Sequence, residues 1–206
     1  MKTVVLIISV TLILVTGGLP ATPSYAGWLV YLKPAFEGRL VDAETGGPIE
    51  GAIVAAVYLE RYYTPISSDT EEIDVKETVS DKDGRFRFPT YTTIISPLRK
   101  VDRVEFIIFK ADYASVQDFG LENIFTGKPF NEKKVADEYT WRGKAGLFIR
   151  CSPGLVALSK LRTKEDLWLN ARSVVLPGQD ILGKDSLLRK ALDEAERRTV
   201  HNMNKP

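Results

Sequence analysis

The sequence predicts a mainly β protein: an antiparallel β-sandwich with a short α-helical C-terminal extension. Three observations lead to that prediction. Between residues 36 and 116, short runs alternate apolar and polar residues with a period of two, which is typical of strands with one buried face. Clusters of Gly, Pro and Asp separate these runs. Apolar residues first recur at helical spacing after Thr163, so helices are expected only near the C-terminus.

The N-terminus has the layout of an export signal. A single lysine precedes an uncharged apolar run at residues 4–15, glycines and a proline follow, and the small residues Ser24 and Ala26 stand ahead of Gly27. This layout predicts a secretory signal peptide cleaved between Ala26 and Gly27. An uncleaved membrane anchor is the alternative, and it is the only membrane contact that the sequence predicts. We prefer cleavage, because even residues 4–19 fall short of the about 20 apolar residues that span a bilayer.

The first predicted strands flank a dense turn. Phe36, Gly38 and Leu40 alternate with residues of the opposite face, and a cluster of turn-forming residues follows at 42–48. Residues 51–59 are nearly all apolar, which predicts a central strand that is covered on both faces.

A tight hairpin joins the next pair of strands. Residues 76–80 are predicted to form a short polar strand, and Gly84 is predicted to supply the positive φ that the turn at residues 81–84 needs. Residues 85–88 alternate Arg and Phe, with both Phe inward and both Arg outward, and residues 101–111 predict a long buried strand.

Two long segments interrupt this pattern. Residues 62–74 are rich in acids and are expected to form an exposed loop, and residues 114–140 are expected to form another extended excursion. Loops of this length are often functional, so both are candidate interaction surfaces.

The C-terminal region changes to helical spacing. Thr163, with an acid three residues on, predicts an N-cap for a helix that runs to about Arg172. Asp185 predicts the N-cap of a second helix over residues 186–198, with one apolar stripe and one charged face. This second helix either packs on the sandwich or binds a partner through its apolar stripe.

Three segments of the chain resemble the carboxypeptidase regulatory-like domain, a transthyretin-like or immunoglobulin-like β-sandwich. They are residues 38–54, 78–88 and 109–113, which match a strand-turn-strand unit, a hairpin leading into an inward aromatic residue, and the last core strand. The resemblance covers residues 36–116 and implies an exported, stand-alone bacterial version of the domain. Such domains are typically binding or structural modules, so the resemblance implies a fold and leaves the chemistry open.

Three regions follow from these assignments. Residues 1–26 are the predicted signal peptide, residues 27–160 the carboxypeptidase regulatory-like β-sandwich, and residues 161–206 the helical extension.

Composition excludes several classes of function. The chain has 28 basic and 27 acidic residues, so it shows no basic surplus for nucleic acid. Its one histidine, His201, and its one cysteine, Cys151, are too few for a zinc site of the usual ligands. No catalytic motif is present with its full set of residues, so we predict a protein that is not an enzyme and that needs no cofactor. Cys151 follows an apolar stretch and is expected to pack in the core.

Two sets of residues are candidates for binding. The predicted stacking residues for a ligand are Tyr62, Tyr63, Tyr91 and Trp141. Asp81 and Asp83 resemble part of a calcium loop, although turn chemistry explains the same residues.

The function predicted from all of this is an exported, non-catalytic binding or structural module of the bacterial cell envelope. Its location is expected to be the periplasm or the envelope, or outside the cell. Its partner is expected to be an envelope protein, contacted through the long loops and the C-terminal helix. The alternative is a β-sandwich that binds a small ligand or a carbohydrate.

Overall fold

The computed structural model describes residues 30–63, 66–118, 120–126, 139–142 and 148–203. The predicted signal peptide, with its cleavage site at Ala26 and Gly27, lies outside the described residues. The strands are β1 (Val30–Lys33), β2 (Phe36–Asp42), β3 (Ile53–Tyr63), β4 (Ser68–Val79), β5 (Arg85–Phe88), β6 (Tyr91–Ile94), β7 (Arg99–Phe109), β8 (Val116–Asp118), β9 (Tyr139–Arg142), β10 (Phe148–Ser152) and β11 (Leu155–Leu158). The helices are α1 (Leu121–Phe125), α2 (Lys164–Ser173), α3 (Gln179–Leu182) and α4 (Leu187–Met203).

The strands form a β-sandwich, as predicted. A five-stranded sheet has the order β5-β2-β11-β10-β9, a four-stranded sheet has the order β4-β3-β7-β8, and β1 and β6 form a separate ribbon. Every pair is antiparallel except β11 and β2, which run parallel. The prediction of an antiparallel sandwich is therefore confirmed, with this one parallel pair as the exception.

The main core lies between the two larger sheets. The aromatic rings of Phe36, Phe86 and Phe88 face it from the five-stranded sheet and meet Phe106 and Phe125 edge to face. These geometries stabilise aromatic clusters beyond the area that they bury. The predicted inward position of both Phe residues of β5 is confirmed, and so is the buried position of Cys151.

A second core lies on the opposite face of the four-stranded sheet. Leu188, Leu192 and Ala195 of α4 pack there in one cluster with Val57 and Ile107. Strand β3 is therefore covered on both faces, as its apolar sequence predicts. The interpretation of α4 as a helix packed on the sandwich is confirmed: Leu188, Leu192 and Ala195 are buried, whereas Leu187 of the same stripe is 43% exposed.

The two helix starts differ in how well the sequence predicts them. Thr163 caps α2, because its hydroxyl oxygen accepts the Asp166 N–H at 3.0 Å. The cap predicted at Asp185 is wrong: the Ser186 hydroxyl oxygen accepts the Arg189 N–H at 3.1 Å. Asp185 instead accepts a hydrogen bond from the Lys190 ammonium at 3.0 Å.

A carboxylate from β4 completes the start of α4. Glu77 accepts the Ser186 hydroxyl at 2.6 Å and the N–H groups of Leu187 and Leu188 at 2.8 and 3.0 Å. The first N–H groups of a helix lack partners within it and favour negative charge. Glu72, also on β4, accepts the Gly178 N–H just before α3 at 2.8 Å. Two acids of β4 therefore fasten the helical extension to the sandwich.

The exposed loop predicted at residues 62–74 is wrong for most of its length. Strand β4 pairs with β3 from Ser68 to Val79. The acidic residues led to the prediction of a loop, but β4 is an edge strand. Charged side chains are tolerated on edge strands and discourage pairing with other chains. The excursion predicted at residues 114–140 begins with β8 and α1, and residues 127–138 of it lie outside the described residues.

Asp42 gives stability a predicted pH dependence. Its Oδ atoms accept the N–H groups of Thr45 and Glu44 at 2.9 and 2.8 Å and the Tyr113 hydroxyl at 3.0 Å. These hydrogen bonds, that of Thr45 foremost, hold the pKa of Asp42 below its usual value. A carboxyl group whose pKa is lower in the folded than in the unfolded state stabilises the fold at pH values above its unfolded pKa, about 3.9 for Asp. This stabilisation is lost as the pH falls through the folded pKa.

We therefore expect Asp42→Asn to be less stable than the wild type at pH 7, and the difference to shrink below about pH 4. Urea unfolding of both proteins at pH 7, 4.5 and 3 measures this. A difference that stays constant across the three pH values would contradict the assignment.

Candidate functional site

The predicted metal-binding acids are used by a turn. The Asp81 carboxylate accepts the N–H groups of Asp83 and Arg85 at 2.9 and 2.8 Å, and Gly84 has the expected positive φ of 74°. Among the residues that the structure describes, no group of three or more His, Cys, Asp or Glu side chains is arranged to hold a metal ion. The hairpin geometry alone accounts for Asp81.

Tyr91 belongs to an aromatic cluster. Its ring stacks on Tyr58 with centroids 4.0 Å apart and meets the edge of Tyr31 at 5.7 Å. Burial, together with the negative charge of Asp74, raises the pKa of Tyr91 to about 12, so the phenol stays protonated at neutral pH. Trp141 lies in β9 opposite Ile149, and its side chain lies outside the described residues.

Tyr62 and Tyr63 end β3, and each lies against a cation. The Arg99 guanidinium is 5.6 Å from the centroid of the Tyr62 ring, and the Lys100 ammonium is 5.2 Å from that of Tyr63. Arg99 also donates to Glu60, and to Glu71 at 2.6 Å. These two acids raise the pKa of Arg99, so its guanidinium stays protonated. The two carboxylates balance its positive charge.

One of the predicted tyrosines lines a small pocket. Tyr91, Glu60 and Arg99 line a cavity of about 340 Å³. Tyr62 contacts Arg99 of the cavity wall but is not one of the lining residues. Both rings already contact other side chains of the chain, so the role of these tyrosines in ligand binding stays a prediction.

A different surface concentrates positive charge. The alternation of Arg and Phe in β5 puts Arg85 and Arg87 on the outer surface of the five-stranded sheet, as predicted. The neighbouring strand β2 adds Arg39, and β10 adds Arg150. We call these four residues the arginine face. Arg150 donates to the Ala43 carbonyl at 2.5 Å, and Arg39 donates to the Asp83 carbonyl at 3.0 Å.

The described outward positions of these strands carry more arginines than acids. Among the described outward positions of β2, β5, β10 and β11, the one acid is Glu37, which lies 3.0 Å from Arg87. Arg39 and Arg85 are directly opposite each other in the β2–β5 register. Like charges at opposite positions destabilise a sheet. The hairpin acids Asp81 and Asp83 border the arginine face at one end.

An open groove of about 760 Å³ runs beside these arginines. Arg39, Arg85 and Arg87 line one part of it, and apolar residues that include Ile124 and Pro153 line another. Gly38 also lines it, and a side chain there would collide with the rings of Phe86 and Phe125, because a Cβ would lie 2.6 and 2.7 Å from them. The groove combines positive charge with an apolar wall, which suits an extended anionic ligand.

The sequence contains one signal for this surface and lacks the others. The alternating Arg and Phe of β5 predict outward arginines. The contribution of Arg39 depends on the β2–β5 register, and that of Arg150 depends on the β11–β2 pairing, which joins residues more than 100 positions apart. Neither follows from local periodicity.

No helix in the part of the chain that the structure describes has the length and apolar character to span a bilayer.

Comparisons with known proteins leave the family open. No family model matches the chain, and no curated protein matches it. Among solved structures, it is similar to a 3-chlorocatechol 1,2-dioxygenase from Rhodococcus opacus 1CP, at 15% identity and a TM-score of 0.31. The match covers 69% of this chain and 64% of that one, so the chain spans less than two thirds of the enzyme's length. At this TM-score, the likeness carries no conclusion about the activity of the present chain.

Proposed function

We propose that this protein is an exported, non-catalytic binding module whose partner is an envelope protein with an acidic, extended segment. The observation that supports it is the arginine face. At the described outward positions of β2, β5, β10 and β11, four arginines share the sheet surface with one acid, Glu37, in a chain whose total charge is nearly balanced. Arginines at opposite positions repel each other and lower the stability of the sheet. A negatively charged partner compensates for this repulsion, which is why we infer such a partner.

The spacing of the arginine face fits an extended acidic chain. Alternate residues of a strand, such as Arg85 and Arg87, are about 6.7 Å apart, and opposite residues, such as Arg39 and Arg85, are about 5 Å apart. An extended segment with an acid at every second position repeats the first of these distances. Guanidinium groups bind carboxylates through two parallel hydrogen bonds, which gives such a pairing geometric specificity.

The one cysteine of the chain is buried and is not a candidate nucleophile. Burial raises the pKa of the Cys151 thiol to about 12, so it is protonated at neutral pH and is a poor nucleophile. The resemblance of residues 36–116 to the carboxypeptidase regulatory-like domain supports the same proposal, because such domains are typically binding modules. The export signal predicted at residues 1–26 supports a location in the cell envelope or outside the cell.

A synthetic acidic peptide tests the binding proposal. We expect a fluorescently labelled (Glu-Thr)6 peptide to bind the protein at 50 mM NaCl and pH 7, as measured by anisotropy. The double variant R85E/R87E is expected to bind it at least tenfold more weakly, because two attractive charges become repulsive. The matched control K160E/K184E makes the same change of charge at exposed lysines outside the arginine face and should bind within about twofold of the wild type.

Two results would overturn the proposal. One is equal binding of the peptide by the wild type and R85E/R87E. The other is equal binding of a (Gln-Thr)6 peptide, which has the same extended character without the charge.

A further inference from the structure

Exposed apolar side chains gather at one end of the sandwich. The three most exposed large apolar residues among those described are Ile66, Ile94 and Leu98, at 98, 84 and 78% exposure. Exposed Tyr63 and Leu32 lie in the adjoining strands. Isolated exposed apolar residues are ordinary, whereas a cluster at one end of a molecule marks a contact surface. We call Val30, Leu32, Tyr63, Ile66, Ile94 and Leu98 the apolar end.

The strand registers bring these residues together from distant parts of the sequence. Val30 is directly opposite Ile94 in the β1–β6 ribbon. Leu98 precedes Arg99, which is opposite Tyr62 at the end of β3. The next residue of β3, Tyr63, is opposite Ser68, two positions after Ile66. The start of the described chain and the ends of four strands therefore meet at this end.

Charged groups of both signs lie near the apolar end. Arg61 donates to both carboxylate oxygens of Asp102, at 3.2 and 3.1 Å. Arg99 is held between Glu60 and Glu71, and the exposed Lys100 ammonium lies over the Tyr63 ring. Because neither sign of charge prevails, the exposed Ile and Leu side chains favour an apolar occupant over an acidic or a basic one.

The apolar run near the N-terminus indicates a lipid bilayer as the apolar occupant. The apolar run at residues 4–15 is separated from Val30 by 14 residues, which span at most about 50 Å when extended. Whenever that run lies in a bilayer, during export or as an anchor, the apolar end is the part of the described fold attached closest to the lipid. Tyr62 and Tyr63 add the amphipathic rings that are enriched at membrane–water interfaces.

We propose that the apolar end docks on the surface of a lipid bilayer, with Ile66, Ile94 and Leu98 inserted into it. This contact uses none of the residues of the arginine face. It holds the protein at a membrane while the arginine face stays open to a protein partner. Because neither sign of charge prevails near the apolar end, the contact depends on apolar burial and needs no anionic lipid.

Vesicle flotation tests this proposal. A chain beginning at Gly27 retains every described residue, and we expect it to float with phosphatidylcholine vesicles equally well at 0.1 and 1 M NaCl. The triple variant I66S/I94S/L98S is expected to lose at least tenfold in its partition coefficient. The control L169S/V175S/V200S removes three exposed apolar residues that lie outside the apolar end and should stay within about twofold of the wild type.

Any one of three outcomes would overturn the proposal. In the first, the wild type does not float; in the second, the triple variant floats as well as the wild type. In the third, flotation requires anionic lipid and disappears in high salt. If sedimentation velocity instead shows a wild-type dimer that the triple variant abolishes, a second copy of the chain is the occupant. We expect I66S/I94S/L98S to bind the (Glu-Thr)6 peptide as the wild type does. This result separates a loss of membrane contact from a loss of the arginine face.

Discussion

Replacing Gly84 with alanine is expected to lower the free energy of unfolding by about 3 kcal/mol or more. Gly84 has a φ of 74°, and a Cβ there would lie 2.3 Å from the Leu40 carbonyl oxygen. The obstacle is backbone, which cannot rotate away as a side chain does. Movement of the hairpin would also strain the hydrogen bond from the Leu40 N–H to the Gly84 carbonyl, which joins β2 to the start of β5.

Gly46 provides the matched control. It has nearly the same φ of 70°, but a Cβ there would meet no atom within 4 Å. Gly46→Ala should therefore cost only the backbone strain, about 1 kcal/mol. Urea unfolding of the two variants and the wild type compares these values, and equal losses at Gly46 and Gly84 would contradict the argument from close approach.

The second large effect is expected at Asn170. Its side chain is about 1% exposed, accepts the Ser115 N–H at 2.6 Å and donates to the Tyr113 carbonyl at 3.1 Å. Leucine has a similar size and can do neither, so Asn170→Leu leaves a backbone donor and a backbone acceptor without this partner. Each buried unsatisfied group costs about 1–3 kcal/mol, and we expect a loss of roughly 2–4 kcal/mol in the free energy of unfolding.

Asn123 supplies the control for this substitution. It is exposed in α1, and Asn123→Leu should change stability by no more than about 0.5 kcal/mol. Chemical denaturation of both variants makes the comparison. A small loss for Asn170→Leu would mean that Asn170 does not connect α2 to the segment between β7 and β8.

Features that depend on near neighbours in sequence were predictable. The Thr163 cap, the Gly84 hairpin and the inward Phe residues of β5 all follow from patterns shorter than five residues. The buried central strand β3 follows from its continuous apolar run. The substitutions above test contacts of the other kind, which the sequence alone does not indicate.

The remainder depends on contacts between distant segments. The end of β4 was predicted as a short strand, but residues 68–74 were predicted as a loop because their acids face solvent or cap a helix. The contact of Glu77 with α4 joins residues more than 100 positions apart. The same applies to the arginine face, which needs the registers of β2 with its neighbours. The apolar end likewise depends on which strand ends lie side by side.

The parallel pair of β2 and β11 also affects the order in which the chain can fold. Leu40 is opposite Val156, so one edge of β2 has its partner only after more than 150 residues have emerged. Strand β5 can pair with the other edge much earlier, because its residues are about 50 positions from their partners in β2. Pairings across long sequence separations form slowly. During synthesis, β2 therefore keeps one edge without its partner until β11 has been made, and until then this edge is open to pairing with another chain.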